Sequence, residues 1–226
     1  NDVTITGDND PVIINGTDYL TIRDLTISGT SWATNSILIQ GGANNNNFIN
    51  NHVTGSKWYS PSGMDNNMLI DSNYIEVWFF MQGSSSGGHE KNTTFTNNKV
   101  FNHEGVRFDT TDSLLVLKNE ILVNVFGANG NAGLAIQGCS GKIKVHKNKI
   151  IGIFAGGIRL NSVNGSAGSE VEIYNNAVSS DGYQNYYEGI SLTSSNYLNV
   201  YHNSVESWGY LPNGIAFATA INCRSF

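Results

Sequence analysis

Phe95-Thr96-Asn97-Asn98-Lys99-Val100 is answered a little further on by Leu115-Val116-Leu117-Lys118-Asn119-Glu120-Ile121, with 21 residues between the two asparagines Asn98 and Asn119. The shared pattern is apolar, any, apolar, about two polar positions, Asn, any, then Val or Ile. Upstream it recurs as Met68 to Ile75 with Asn73 and as Phe48 to Val53 with Asn51. Downstream it recurs as Ile143 to Ile150 with Asn148, Val171 to Val178 with Asn176, and Leu198 to Val205 with Asn203. The first copy, Leu20 to Ile27, carries Leu25 in the Asn place. From Leu25 onward the steps are 26, 22, 25, 21, 29, 28 and 27 residues. A period of that size is a structural repeat.

A second motif alternates apolar and polar residues, the signature of a strand. It reads Ile37-Leu38-Ile39-Gln40, Val106-Arg107-Phe108-Asp109, Leu134-Ala135-Ile136-Gln137, Ile158-Arg159-Leu160-Asn161, Ile190-Ser191-Leu192-Thr193 and Ile215-Ala216-Phe217-Ala218. Such units cannot bury their apolar faces alone, so stacked neighbours must complete the core. The fold predicted is all-β, a right-handed parallel β-helix solenoid of about eight coils. Leucine-rich repeats share the period but need helix-forming convex segments, and these linkers are Gly, Ser and Asn. An antiparallel sandwich is the alternative. The recurring Asn is expected to take left-handed backbone angles at a turn, with its amide bonding up and down the stack.

The chain has 226 residues, 39% of them hydrophobic, which suits one elongated domain over residues 1–226. Its outermost strands read as mid-repeat, so further domains of the same polypeptide are expected. Only 13% of residues are charged and the net charge is −6, so the surface must be built from Asn, Ser, Thr and Gly. An acidic balance argues against nucleic acid as a partner. No apolar run is long enough for membrane insertion by a helix. Two cysteines, Cys139 and Cys223, are too few for a disulfide framework, and the register puts them about three coils apart, too far to bridge.

The segment Asn9 to Gly29, with Pro11-Val12-Ile13-Ile14-Asn15-Gly16 and Tyr19-Leu20-Thr21-Ile22-Arg23-Asp24-Leu25-Thr26-Ile27, resembles the opening coils of pectate-lyase-like β-helix proteins, and the Asn-x-Val/Ile turns extend the likeness over nearly the whole chain. The resemblance implies a secreted or surface protein of bacteria, and a scaffold shared by polysaccharide lyases, hydrolases and epimerases. The calcium-dependent lyases of that family use clustered aspartates with an arginine base, and the hydrolases use paired aspartates. Neither motif has a match here, so no catalytic residue is carried over.

Candidate chemistry lies on the outward positions of one strand row. Read coil by coil, that row presents Gln40, Asn67, Gln82, Asp109, Gln137, Asn161 and Thr193, beside Leu38, Asp65, Phe80, Arg107, Ala135, Arg159 and Ser191. The densest titratable set is His103, Glu104, Arg107, Asp109 and Asp112, with Arg159 two coils on. An acid and a base beside a guanidinium could cleave a uronate polymer, or the set could be a surface ion-pair group. Gln82, Gln137 and Asn161 could hold sugar hydroxyls. Edge aromatics, namely Trp58, Trp78, Tyr183, Tyr186 and Trp208, could offer stacking platforms, whereas Phe101, Phe126 and Phe154 read as cover for the core. Lys142, Lys144, His146, Lys147 and Lys149 form a basic run, with Glu172 directly above Lys144. Asp8-Asn9-Asp10 and Asp109-Thr110-Thr111-Asp112 carry oxygens that Ca²⁺ could accept. Neither has calcium-loop spacing, so no metal or other cofactor is assigned. The leading functional reading is an extracellular module contacting polysaccharide or another surface. The alternatives are a lyase or hydrolase acting on an acidic glycan, and a structural stalk of an adhesin or filament.

Overall fold

The computed structural model describes residues 3–31, 34–83, 88–124, 132–153, 155–183, 188–211, 214–217 and 221–224; for residues 62–63, 182–183 and 208 onward it describes the backbone alone. It is a parallel β-solenoid. One coil shows the plan. Lys99–Asn102 runs in a first sheet, Val106–Asp109 in a second and Leu115–Leu117 in a third, and Glu120–Asn124 re-enters the first sheet one rung on. Among the described residues the sheets hold ten, nine and eight strands, and a further short pair joins Glu90–Lys91 to Thr111–Asp112. Eight strands in the third sheet mean eight rungs with seven steps between them.

Alternation within each short strand sends every second side chain inward. The column Ile22, Phe48, Ile70, Phe95, Val116, Val145, Ile173, Val200 fills the core from the third sheet. Phe48, Trp58, Phe79, Phe95 and Phe108 are fully buried and meet at centroid distances of 4.8–5.8 Å across successive rungs. Each such side chain contributes about 1.5–3 kcal/mol by leaving water. Trp58, expected at an exposed edge, is thus a core residue. Phe101, expected to cover the core, points outward from the first sheet and is 45% exposed. Phe126, Phe154 and Tyr186 lie outside the described residues, as do the side chains of Tyr183 and Trp208.

At the corner between the third and first sheets stand Asn51, Asn73, Asn98, Asn119, Asn148, Asn176 and Asn203. From Asn73 on, each Oδ1 accepts both the backbone N–H and the side-chain N–H of the asparagine one rung before, while the Asn51 Oδ1 accepts the Leu25 N–H. Each Nδ2 also donates to a carbonyl of the preceding coil, as Asn119 does to Phe95 O at 2.9 Å. The column holds as expected, but its backbone reason does not. The left-handed residue is the one before: Asp24, Asn50, Ser72, Asn97, Lys118, Lys147, Asn175 and His202 have φ of 53–58°. The column asparagine is chosen for its amide, which donates and accepts at once inside a dry corner.

The register departs from expectation at one coil and at one end. The strand that follows Ile37–Gln40 in the second sheet is Lys57–Gly63, so Tyr59 occupies the outward place given above to Asp65. Asp65 is instead fully buried, and Asn67 sits at a left-handed turn (φ 57°), bonded to Asn45 and Asn92. Pro61 and the register shift opposite Met81 and Gly83 mark the irregularity. At the far end Gly214–Phe217 folds back antiparallel on Ser204–Leu211, while Ile221–Arg224 takes the second-sheet place expected of Ile215–Ala218. Cys223 then stands three rungs from the strand that precedes Cys139, which is buried and free.

Replacing Asn119 by Ala removes the side-chain acceptor of the Asn98 backbone N–H and one of the donors to the Phe95 carbonyl in a buried corner. The expected loss is about 3 kcal/mol or more, read from denaturant midpoints. Asn97→Gly, at the exposed left-handed position beside the column, is expected to stay within about 0.5 kcal/mol of the parent. Equal losses at the two positions would refute the column's role.

Candidate functional site

On the outward face of the second sheet the observed row is Gln82, Asp109, Gln137, Asn161 and Thr193, each opposite the next in the parallel register. Beside it runs Tyr59, Phe80, Arg107, Ala135, Arg159 and Ser191. At about 4.8 Å per rung, Gln82 to Thr193 spans about 19 Å. Period 2 is what puts Arg107 and Asp109 on one side of their strand. Their side chains close a two-pronged pair: Nε lies 2.9 and 3.1 Å from Oδ1 and Oδ2, and an Nη is 2.6 Å from Oδ2. The hydrogen bonds to Asp109 push the Arg107 pKa upward, so the guanidinium stays charged.

The rung before supplies the support. The Arg107 guanidinium lies 4.9 Å from the centre of the Phe80 ring, which stacks on Tyr59 at 5.4 Å and on Trp78 at 5.1 Å. Phe80 is nearly covered, whereas Tyr59 and Trp78 keep part of their surface in solvent. The Tyr59 hydroxyl donates to Gln82 Oε1 at 3.4 Å, and Arg107 reaches Gln137 Oε1 at 3.4 Å. One end of the face is therefore aromatic. The other end is amide, hydroxyl and guanidinium, with Gln137 exposed and Arg159 and Asn161 half-buried.

The remaining candidates do not gather here. His103 and Glu104 lie in the exposed turn before the Val106–Asp109 strand, where the His103 Nδ1 meets the carbonyl of Asn124 at 2.5 Å. Asp112 lies beyond the other end of that strand, bonded to His89 Nδ1 at 2.8 Å and to the Ser140 hydroxyl at 2.6 Å. Arg159 is on the face but two rungs from Arg107. The oxygens considered for Ca²⁺ are similarly engaged, Asp109 by Arg107, Asp112 by His89 and Asp10 by Asn35. Among the described residues no three His, Cys, Asp or Glu side chains form a metal-holding group.

One surface feature escaped the sequence reading. His146, Tyr174 and Tyr201 stack in a column on the third sheet, at centroid distances of 4.5 and 5.0 Å with nearly parallel rings. The signal was present, since each stands two residues before a column asparagine. Beside them Lys144 pairs with Glu172, as the register required.

The A-module of the Azotobacter vinelandii mannuronan C-5 epimerase AlgE6 superposes with a TM-score of 0.49 at 13% identity, covering 94% of this chain and 74% of that module. A search of curated proteins found no match. The sequence model of the right-handed β-helix region matches residues 10–178, well over half of the chain, and the protein belongs to that family.

Proposed function

We propose that the chain binds an extended polysaccharide along the outward face of its second sheet and holds it without cleaving it, in an extracellular setting. The observation that carries this reading is the in-register run of Gln82, Asp109, Gln137, Asn161 and Thr193, which repeats hydrogen-bonding groups once per rung along an open face. A polymer of repeating hydroxyls can meet such a row at several rungs in succession. Tyr59 and Trp78 at one end add partly exposed rings on which a sugar face can rest. Affinity would then accumulate from several weak contacts.

The state of Arg107 favours holding over cleavage. A guanidinium locked in two-pronged contact with Asp109 and kept charged is a poor acceptor for a proton, though its remaining N–H groups suit a sugar hydroxyl or carboxylate. His103 and Glu104 stand in a turn outside the row, so these two do not flank a common point on it as acid and base.

A panel of neutral and acidic glycans, screened by calorimetry while absorbance of unsaturated products and reducing ends are followed, tests the reading. Binding without new ends is expected. The double variant Gln137→Ala, Asn161→Ala should weaken it about tenfold, or about 1.4 kcal/mol, with an unchanged unfolding midpoint. Accumulating products would return the lyase or hydrolase reading, and a panel with no binder would leave the structural stalk.

Arg107→Ala tests the pair itself. Asp109 has only 10% of its side chain exposed, so the variant strands a carboxylate. The expected loss is about 1–3 kcal/mol, less than for a fully enclosed pair because Arg107 is 39% exposed. The double variant Arg107→Ala, Asp109→Ala should recover part of that loss in the same denaturant measurement.

A further inference from the structure

Two acids are sealed inside the coil at the corner between the second and third sheets. Asp65 and Glu90 are each 0% exposed, and one hydroxyl joins them: Ser60 Oγ lies 2.8 Å from Asp65 Oδ2 and 2.7 Å from Glu90 Oε1. A serine hydroxyl carries one hydrogen. It can donate to one of these oxygens only, so the second short contact needs a hydrogen on the other acid.

The surroundings say which acid carries it. Burial raises the Asp65 pKa as well, but Asp65 also accepts the backbone N–H of Ala43 at 2.7 Å, which offsets part of that rise in favour of its charged form. Beside Glu90 stand two hydroxyls, Ser60 and its register neighbour Thr111, which ease its ionisation less than burial opposes it; the Thr111 hydroxyl also lies 3.3 Å from the Asp109 carbonyl, and Glu90 Oε2 is buried without a hydrogen-bond partner. The geometry points to a shared-proton relay in which protonated Glu90 donates to Ser60 Oγ, Ser60 donates to ionised Asp65, and loss of the Glu90 proton loosens this corner at the edge of the second sheet.

Other titratable groups near the corner do not supply a compensating cation. Cys139, two coils on from Glu90, is buried with its thiol pushed up to about 12, hence neutral, and accepts the Thr111 N–H. His89 and Asp112 face each other at the rim. Among the described residues no Lys or Arg forms an ion pair with Asp65 or Glu90. Burial, with the nearby Asp65 charge adding to it, pushes Glu90 up to about 8.

The sign of the pH effect follows. Glu90 has a folded value raised above its ordinary 4.5, so its contribution to stability is complete below that value and is lost as pH rises to about 8. Denaturant midpoints of the full chain should therefore fall between about pH 5 and about pH 8 and level off above. Glu90→Gln, whose amide can donate to Ser60 as the acid does, should remove that segment of the slope and be the more stable protein above about pH 8. An identical slope in parent and variant overturns the relay. Should the variant fail to fold, carbon-13 titration of the Glu90 carboxyl in the parent decides. A midpoint near 8 supports the relay, and one in the ordinary carboxylate range overturns it.

Discussion

The distance between rungs governs this molecule. Parallel strands about 4.8 Å apart satisfy their backbone groups only through the coil above and the coil below, so each corner faces the same demand at every level. The Asn column answers it at one corner, because an amide is the side chain that accepts two N–H groups from one neighbour while donating to the next coil and to a carbonyl. A wrong residue there strands groups on two rungs. Loop length is free by comparison: column steps of 21 and 29 residues occur side by side, and the difference is absorbed between strands.

That constraint explains why the fold was legible. Apolar residues alternating in short runs, with an amide recurring at one phase, leave few other ways to satisfy a buried corner. Legibility ended where the pattern had two readings. Lys57–Gly63 contains Ser60, Pro61 and Gly63 and reads as a linker, yet it pairs as a strand, and Asp65 takes an inward place that charge alone argues against. The left-handed angle was assigned to the asparagine when it belongs to the residue before. Lys118, Lys147 and His202 hold that angle as well as Asn50 does, so the position has no residue signature for a sequence reading to find.

The candidate site divides in the same way. That Arg107 shares a side with Asp109 follows from period 2, and that Gln137 and Asn161 follow along the row follows from register. The Phe80 platform beneath Arg107 could be reached from register too, because Phe80 and Arg107 are direct neighbours across rungs. Placing His103 and Glu104 with them confused nearness in sequence with nearness in space. A turn between sheets rotates the chain around the coil, so three or four residues suffice to leave a face.

The acid pair can be weighed against what the same corner holds elsewhere. In later coils the place is filled by Cys139, Val163 and Ser195, and where an acceptor is needed a small neutral group supplies it: Cys139 takes the Thr111 N–H, and Ser195 takes that of Val163. The corner as such therefore does not require a carboxyl. Asp65 has the corresponding duty toward Ala43, but Glu90 reaches back to Ser60 on a different strand, across the irregular coil. A serine or threonine would be too short for that span, and an ionised group there carries a desolvation cost that the neighbouring hydroxyls offset only in part. A neutral carboxyl resolves both demands, since it is long enough to bridge and can donate where the serine has no second hydrogen to give.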